Sequence, residues 1–348
     1  MSTGPLDRTS LSKVLEHQGI DPRRVVLPYE MTEEMRYWAR EAAGSGSDLD
    51  RLISLRDRLL DPNALEVQYT WSYTGTASEV FHNREANCLA FTNLFLGMAR
   101  YLEIPAYFLA VENVETYRRD GDLVIVSDHV AVGYGESFDV RVFDFSQYPE
   151  APDQRFAKRI SDLTAIAMFH SNRGAEALQK DLREEAAAWL RVAVEVDPTL
   201  VQAWVNLGVA ERRLGFHEAA EAAYLRALEI NPRTPSAVQN LASLLRVLDR
   251  VQEAESYEAA LAEASTQNPY TFLNLGDISL EGGRYEDARR FYRRAVSLSR
   301  NAETYAALGY AEAAAGDLRK ARKMLRRAQR INASHERVAA LKSRLSGS

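Results

Sequence analysis

The chain has 348 residues, of which 46% are hydrophobic and 26% are charged, and its formal net charge is −6. These values are ordinary for a folded globular protein long enough for two domains, and the acidic balance does not favour general binding to nucleic acid or anionic membranes. Its single cysteine excludes an internal disulfide and a multi-cysteine zinc site.

No apolar run is long enough to cross a membrane. The first residues also lack the basic segment and apolar core of a signal peptide. We therefore expect a cytoplasmic protein; an exported protein or lipoprotein is the alternative if a signal precedes the sequence. We expect neither a cofactor nor a bound metal, because the histidines do not fall at metal-ligand spacings.

The first 80 residues predict two helices followed by a strand. Residues 31–43 and 48–60 have apolar residues at helical spacing, and the glycine- and serine-rich residues 44–47 separate them. Residues 65–71 alternate apolar with polar side chains, which is typical of a strand. Residues 75–78 then suit the start of another helix.

The stretch 83–110 predicts a buried helix followed by a buried strand. Its apolar residues recur at helical spacing, and Pro105 ends the helix because proline lacks the amide donor. Cys88 falls in the first turn, where unpaired backbone N–H groups and the helix dipole favour an anion. A thiol there can become a reactive thiolate. The alternative is a buried cysteine that acts as a small hydrophobic side chain.

Two further strands carry polar residues that would suit such a thiol. His129 lies in the strand-like run 124–132, and Asp144 lies in the alternating run 140–145. A thiol, an imidazole and a carboxylate are the parts of a nucleophile, a base and an orienting group. Asp120-Gly121 is a strong hairpin signal, so the strands predict an antiparallel sheet with the cysteine helix on one face.

Several alternatives to these residues remain open. His82 competes with His129 as the base, and Asp128 and Asp139 compete with Asp144. We prefer His129 because a strand facing the helix can present its ring to the thiol. The oxyanion donor that would accompany the Cys88 amide is drawn from Trp71, Tyr73 or Asn87.

The order of Cys88, His129 and Asp144, their separations, and the turn Ile104-Pro105-Ala106-Tyr107 resemble the transglutaminase-like branch of the papain-like fold. The resemblance covers residues 60–150 and implies an α+β domain whose triad attacks an amide or ester carbonyl. Ala86 and Val130-Ala131 depart from a glycine and a tryptophan that are frequent in this family, and this leaves the substrate class open.

The second half repeats with a period of 34 residues. Gly174, Gly208 and Gly276 share one position of the period, and Ala186, Ala220, Ala254 and Ala288 share another. This pattern is similar to that of tetratricopeptide repeats, each of which is a pair of helices. We predict five repeats, with a helix over 334–345 that caps the open end. The domains are then 1–155, a linker at 156–166, and an all-α solenoid at 167–348.

One column of the first helices carries asparagine at positions 34 residues apart: Asn172, Asn206, Asn240 and Asn274. Ala307 breaks the column in the last repeat. An asparagine amide both donates and accepts hydrogen bonds, so this column could hold an extended peptide by its backbone. The alternative is that each asparagine bonds only a neighbouring helix.

Two clusters of arginine and lysine fall on second helices of the repeats, over residues 289–300 and 319–330. Few aromatic residues lie between them for stacking on bases, so they do not favour nucleic acid. The alternative is a solvated surface.

We interpret the sequence as a cysteine-dependent acyl-transfer enzyme, either a peptidase or amidase or a transglutaminase, whose solenoid recruits a protein or extended peptide. The alternative is an interaction scaffold with a silent transglutaminase-like domain.

Overall fold

The computed structural model describes residues 7–70, 73–120, 123–136, 139–145, 157–232, 234–263 and 269–346, and of residues 111–129, 157, 258, 260–263, 274 and 281 it describes the backbone alone. Within this part of the chain there are sixteen α-helices and six β-strands. The chain divides into two compact units. The first contains Met1–Thr116 and Val126–Ala220, and the second contains Tyr117–Ile125 and Glu221–Ser348.

The N-terminal region begins with helices. Its elements are α1 (Arg8–His17), a 3₁₀ turn (Pro22–Arg24), α2 (Glu33–Ala43), α3 (Asp48–Leu60), β1 (Gln68–Tyr69), α4 (Ala77–Asn83), β2 (Glu85–Ala86) and α5 (Cys88–Tyr101). The helices predicted at 31–43 and 48–60 are confirmed as α2 and α3, and the side chains of Thr32 and Ser47 cap them. The strand predicted at 65–71 is present as β1, which pairs in parallel with β2.

Four strands form the main sheet, in the order β5–β4–β3–β6. They are β3 (Tyr107–Asp120), β4 (Leu123–Tyr134), β5 (Arg141–Phe143) and β6 (Ala157–Arg159). The first three correspond to the predicted strands, while Gly121 of the predicted hairpin lies outside the described residues. Strand β6 was not predicted. It lies in the segment 156–166, where we expected a linker, and pairs antiparallel with β3, Arg159 opposite Leu109.

Helix α5 is the centre of this region, and its residues from Cys88 to Ala99 are all buried. Its phenylalanines pack on the sheet side, with the ring of Phe95 5.3 Å from that of Phe143. A Cβ atom at Gly97 would lie 2.6 Å from the carbonyl oxygen of Tyr29, so only glycine allows this approach. The helix ends at Tyr101, before Pro105 as predicted.

The second half consists of helices that follow one another in pairs. They are α6 (Asp162–Gln179), α7 (Arg183–Val196), α8 (Val201–Arg213), α9 (His217–Ile230), α10 (Pro235–Val247), α11 (Val251–Glu263), α12 (Pro269–Glu281), α13 (Tyr285–Leu298), α14 (Ala302–Ala314), α15 (Leu318–Asn332) and α16 (Glu336–Ser346). The five predicted helix pairs and the terminal helix are therefore present. Helix α6 begins five residues before the position at which we placed the first repeat.

The small residues of the repeat pattern allow close contact between the helices of a pair. A Cβ atom at Gly174 would lie 2.5 Å from Leu190, and one at Gly276 would lie 2.4 Å from Tyr292. Both distances are too short for any side chain. At these two positions of the 34-residue period, glycine is thus required by the large residue that it faces.

The first pair of repeat helices belongs to the same compact unit as the N-terminal region. Arg100 of α5 donates two hydrogen bonds to the carboxylate of Asp162, at 2.7 and 2.9 Å. The backbone N–H of Val26 donates to His170 Nε2 at 3.1 Å. The division between the two units falls inside α9, not at the segment 156–166.

Candidate functional site

Cys88 is the first residue of α5 and is 9% exposed. Asn87 caps the helix, because its side-chain oxygen accepts a hydrogen bond from the backbone N–H of Ala90 at 2.9 Å. The Asn87 side-chain amide donates in turn to the hydroxyl of Thr74 at 2.6 Å. Both the oxygen and the nitrogen of the Asn87 side chain therefore form hydrogen bonds that fix the start of the helix next to the thiol.

The residues before Cys88 are fixed by the neighbouring strand and loop. The N–H of Thr70 donates to the carbonyl of Ala86 at 2.9 Å, and the N–H of Asn87 donates to the carbonyl of Tyr73 at 3.2 Å. The Tyr73 hydroxyl accepts from the amide of Asn83 and keeps its own proton to donate. Only one of the two N–H groups of the Asn87 amide is used in the bond to Thr74, so Tyr73 and Asn87 both stay candidates for the oxyanion donor. Trp71 lies outside the described residues.

Helix α6 contributes two charged residues to the loop beside the cysteine helix. The carboxylate of Glu176 accepts from the N–H of Thr74 at 2.6 Å, and Arg173 donates to the carbonyl of Thr74 at 3.4 Å. Thr74 is fully buried, and burial raises the pKa of the Glu176 carboxyl above its ordinary value. Sequence reasoning missed these residues, because no local pattern connects Thr74 with a helix about 100 residues away.

His129 and Asp144 lie in and just after strands that contact the first turns of α5. The hydroxyl of Thr92 donates to the carbonyl of Val130 at 3.3 Å, next to His129 in β4. The ring of Phe91 stacks on Phe145 at 4.2 Å. Phe91 and Thr92 follow Cys88 by three and four residues, so they share its face of the helix.

The roles of His129 and Asp144 remain a prediction. The side chain of His129 lies outside the described part of the chain. Asp144 is half-buried and follows the last residue of β5, so strand alternation does not fix the direction of its side chain. The structure brings the backbone of both residues near the cysteine helix.

The rival base and acids are placed as follows. His82 is exposed at the surface of α4, with Nδ1 2.7 Å from the carbonyl of Ser78 and Nε2 3.5 Å from Glu34. Asp139 is exposed and forms a long ion pair with Arg141. The side chain of Asp128 lies outside the description. The two ring nitrogens of His82 therefore contact residues of its own helix α4 and of α2.

The asparagine positions differ in exposure. In the first unit, Asn172 on α6 is half-buried and Asn206 on α8 is fully buried. Neither the nitrogen nor the oxygen of the Asn206 amide has a hydrogen-bond partner among the described protein groups. In the second unit, Asn240 on α10 is also fully buried, and the side chain of Asn274 is outside the description. The sequence had suggested an open row of amides, and burial at two of these positions departs from that expectation.

The arginines of α13 are largely paired with acidic side chains. Arg289 and Arg293 lie 2.8 and 3.1 Å from the two oxygens of Glu312, whose side chain is 3% exposed. Arg290 pairs with Asp287 on its own helix. The predicted basic cluster at 289–300 is thus partly neutralised.

Within the described residues, no three acidic, histidine or cysteine side chains converge as metal ligands would. The same part of the chain contains no helix both long and apolar enough to span a bilayer.

Comparison with known families identifies the second half. Two family models described as tetratricopeptide repeat match, at residues 201–234 and 280–345. These matches show tetratricopeptide repeats at residues 201–234 and 280–345, and the helix pairs of the second half have the same alternation. Both matches lie beyond residues 60–150, so the transglutaminase-like resemblance and a papain-like fold for that segment still rest on the sequence pattern alone.

Similar proteins are matched over a limited length. Human protein O-mannosyl-transferase TMTC1 is 32% identical over 104 residues, which are 30% of this chain and 12% of that protein. The type IV pilus assembly protein PilF of Pseudomonas aeruginosa is 30% identical over 134 residues, which are 37% of this chain and 52% of PilF. The chain thus spans from about a tenth to about half of the length of these relatives.

Solved structures give weaker likenesses. That of Pseudomonas aeruginosa PilF has 23% identity and a TM-score of 0.45, covering 52% of this chain and 83% of PilF. YrrB, described as a TPR protein with an unusual peptide-binding site, has 18% identity and a TM-score of 0.36, covering 51% and 92%.

Proposed function

We propose that this protein is an interaction scaffold that binds a protein or an extended peptide through its tetratricopeptide repeats. The observation that carries this proposal is the run of five helix pairs, α6–α7 to α14–α15, followed by α16. A helix pair cannot bury its apolar face alone, and neighbouring pairs that do so present an extended surface. Binding of a partner along that surface is the usual use of such repeats.

Within the first unit, the first helices α6 and α8 offer the amides through which a peptide backbone could be held. Asn172 is partly accessible, whereas Asn206 is buried with its amide unpaired among the described groups. A buried amide without hydrogen bonds costs about 1–3 kcal/mol, and a peptide unit that reached it would recover this energy. We therefore propose Asn172 as the first contact and Asn206 as a second that requires local movement.

The test begins with a peptide selected against the full-length chain by phage display, with its affinity measured by calorimetry. We expect the double variant Asn172→Ala/Asn206→Ala to bind about tenfold more weakly, which corresponds to one or two lost hydrogen bonds. Asn63→Ala is the control, because Asn63 is an exposed amide outside the repeats. If the double variant is folded and binds as the wild type does, the asparagines do not form the contact surface. If no selected peptide binds saturably, peptide binding itself is rejected.

A second candidate function is cysteine-dependent acyl transfer. The observation that favours it is Cys88 at the start of α5, on the helix face whose next turn contacts the strands of His129 and Asp144. In this hypothesis the thiolate attacks an amide carbonyl, and a thioester forms as the C–N bond breaks. His129 takes the thiol proton and delivers it to the leaving amine, while Asp144 orients the ring. Water or a second amine then releases the acyl group.

The single cysteine makes this candidate easy to test. We would measure the rate of iodoacetamide alkylation at Cys88 from pH 6 to pH 9 by mass spectrometry. An activated thiol reacts rapidly at pH 6 in the wild type and slowly at that pH in His129→Ala. His82→Ala is the matched control and should react as the wild type does. If all three proteins show the same pH profile, or the native thiol does not react, the acyl-transfer candidate is rejected and the scaffold proposal is unaffected.

A further inference from the structure

The second unit contains an open pocket of about 650 Å³. It lies at the C-terminal ends of α13 and α15, which are the second helices of neighbouring repeats. Arg293 of α13 and Arg300, which follows that helix, line one side. Arg327 and Arg330 of α15 line the other, and Tyr305 of α14 lies between them. Four guanidinium groups from two helices and a loop thus border one space.

Three of these four arginines have no acidic partner in the part of the chain that the structure describes. Arg293 pairs with Glu312, but Arg300, Arg327 and Arg330 form no ion pair or hydrogen bond with any described side chain. All three are exposed, so their charges face the pocket and the solvent. The pocket therefore carries an excess of positive charge that no described acidic side chain balances.

A pocket of similar size in the first unit contains arginines that are paired with acidic side chains. That pocket, of about 550 Å³, is lined by three arginines, Arg8, Arg36 and Arg100. Arg8 pairs with Glu30, Arg36 with Glu33, and Arg100 with Asp162. The two pockets therefore differ in whether their arginines are paired with acidic side chains.

Helix α15 also concentrates like charges at a cost to its own stability. Residues 318–332 include seven arginines and lysines and no acidic residue. Four pairs of these cations are separated by four residues along the helix, and such like-charge pairs are destabilising. An anionic partner would relieve this repulsion.

The pocket offers apolar contacts as well as charge. The guanidinium carbon of Arg327 lies 5.6 Å from the centre of the buried Tyr305 ring. Ile331, at the edge, is 51% exposed. Arginine and tyrosine are enriched at protein-binding surfaces, whereas few aromatic faces of this pocket are free for stacking on nucleic-acid bases.

From this charge complementarity and apolar edge we infer that the pocket binds an acidic peptide segment of a partner protein, with an apolar side chain seated against Ile331 and Tyr305. The residues that line this pocket are different from the asparagines of the first unit. The inference therefore goes beyond the scaffold proposal, and it can be wrong while that proposal holds.

The experiment uses the full-length chain and three labelled 12-residue peptides: one of alternating glutamate and leucine, one of glutamate alone, and one of alternating glutamine and leucine. Binding is followed by fluorescence anisotropy. We expect the glutamate–leucine peptide to bind most tightly. The variant Arg300→Gln/Arg327→Gln/Arg330→Gln should weaken this binding at least about tenfold, as expected for three charge contacts.

A matched control separates the pocket from overall charge. Arg322→Gln/Lys323→Gln/Arg326→Gln removes the same number of charges from exposed positions of α15 that do not line the pocket. We expect a change of less than about threefold for this variant. Ile331→Ser should weaken the glutamate–leucine peptide and leave the glutamate peptide unchanged.

Three results would overturn the inference. The first is equal loss in the pocket variant and its control, because it would show non-specific attraction to α15. The second is tighter binding of a single-stranded RNA 12-mer than of the glutamate–leucine peptide at the same salt concentration. The third is no saturable binding of that peptide to the wild type.

Discussion

The two ends of the repeat region are covered in different ways. At the beginning, α6 packs within the first unit and is bonded to the N-terminal region through the buried His170 and the partly buried Glu176. At the end, α16 packs on α14 with apolar residues such as Leu341, and its Arg337 forms an ion pair with Asp277 of α12 at 2.6 Å. A folded region covers one end and a single helix covers the other. The first arrangement includes a histidine whose pKa is lowered by burial, and its contacts join residues 102 and 144 positions apart, compared with 60 for Arg337 and Asp277.

The largest effect should come from Asp162 in the first unit. Its carboxylate pairs with Arg100 and accepts from the Tyr29 hydroxyl, and both charged side chains are at most 15% exposed. Asp162→Ala would leave the Arg100 charge buried without a partner. We expect a loss of about 3–5 kcal/mol in the free energy of unfolding, measured in urea by circular dichroism. Asp57→Ala is the control, since its ion pair with Arg56 is exposed. A loss below 1 kcal/mol for Asp162→Ala would contradict the importance of this contact.

His170 should make the free energy of unfolding of the first unit depend on pH. Burial lowers the pKa of His170 from an ordinary value of 6.5 to about 4. The unfolded chain therefore binds a proton before the folded chain does, and stability present above pH 6.5 is lost as the pH falls to about 4. A shift of this size corresponds to about 3 kcal/mol.

The measurement is the free energy of unfolding in urea between pH 7 and pH 4. In His170→Leu, this part of the pH dependence should disappear, whatever the stability of the variant at pH 7. The exposed His82 provides the control His82→Ala, which should keep the wild-type slope. An unchanged slope in His170→Leu would show that other groups dominate acid unfolding.

A smaller effect is expected at the second end. Arg337 donates two hydrogen bonds to Asp277, at 2.6 and 2.9 Å, and both side chains are about one-quarter exposed. Because water still reaches this pair, we expect Arg337→Ala to cost about 1–2 kcal/mol. Lys342→Ala on the exposed side of α16 should cost almost nothing. Equal values for the two variants would mean that apolar packing alone holds α16.

The smallest effect, with the opposite sign, should come from Glu176→Gln. Burial raises the pKa of Glu176, so the folded state favours the protonated form. Its contribution is fully present below pH 4.5 and is lost as the pH rises through the folded pKa. A glutamine is always neutral and can still accept from the Thr74 N–H. The variant should therefore be as stable as the wild type at pH 7, or more so by less than about 1 kcal/mol. A clear loss at pH 7 would show that the charge itself is required.

The parts of the fold that depend on local periodicity could be predicted from the sequence. Gly174 and Gly276 mark the close contacts within helix pairs, and Pro105 marks the end of the cysteine helix. Helices α2 and α3 have apolar stripes with Thr32 and Ser47 at their starts. Each of these signals lies within one or two turns of the element that it defines.

The contacts that join the N-terminal region to α6 could not be predicted in this way. Strand β6 has three residues, too few for a periodic signal, and its pairing with β3 spans a segment that we interpreted as a linker. His170 has no unusual neighbours in sequence, yet it accepts a bond from Val26. Of the candidate site, the sequence indicated Cys88 and its helix but not Thr74 and Glu176. The burial of Asn206 could not be predicted either, because a repeat pattern does not show how far neighbouring helices cover an amide.

The long sequence separations in the first unit have a consequence for synthesis. The bond between Thr74 and Glu176 joins residues 102 positions apart, and that between Val26 and His170 joins residues 144 positions apart. At about 5–20 residues per second, the ribosome needs roughly 5–20 s after Thr74 emerges to add the partner helix. During that time, the face of the N-terminal region that will receive α6 is open to solvent and to chaperones. In the later repeats, the two helices of a pair lie within one repeat of each other in sequence. They can therefore pack together soon after the second helix is synthesised.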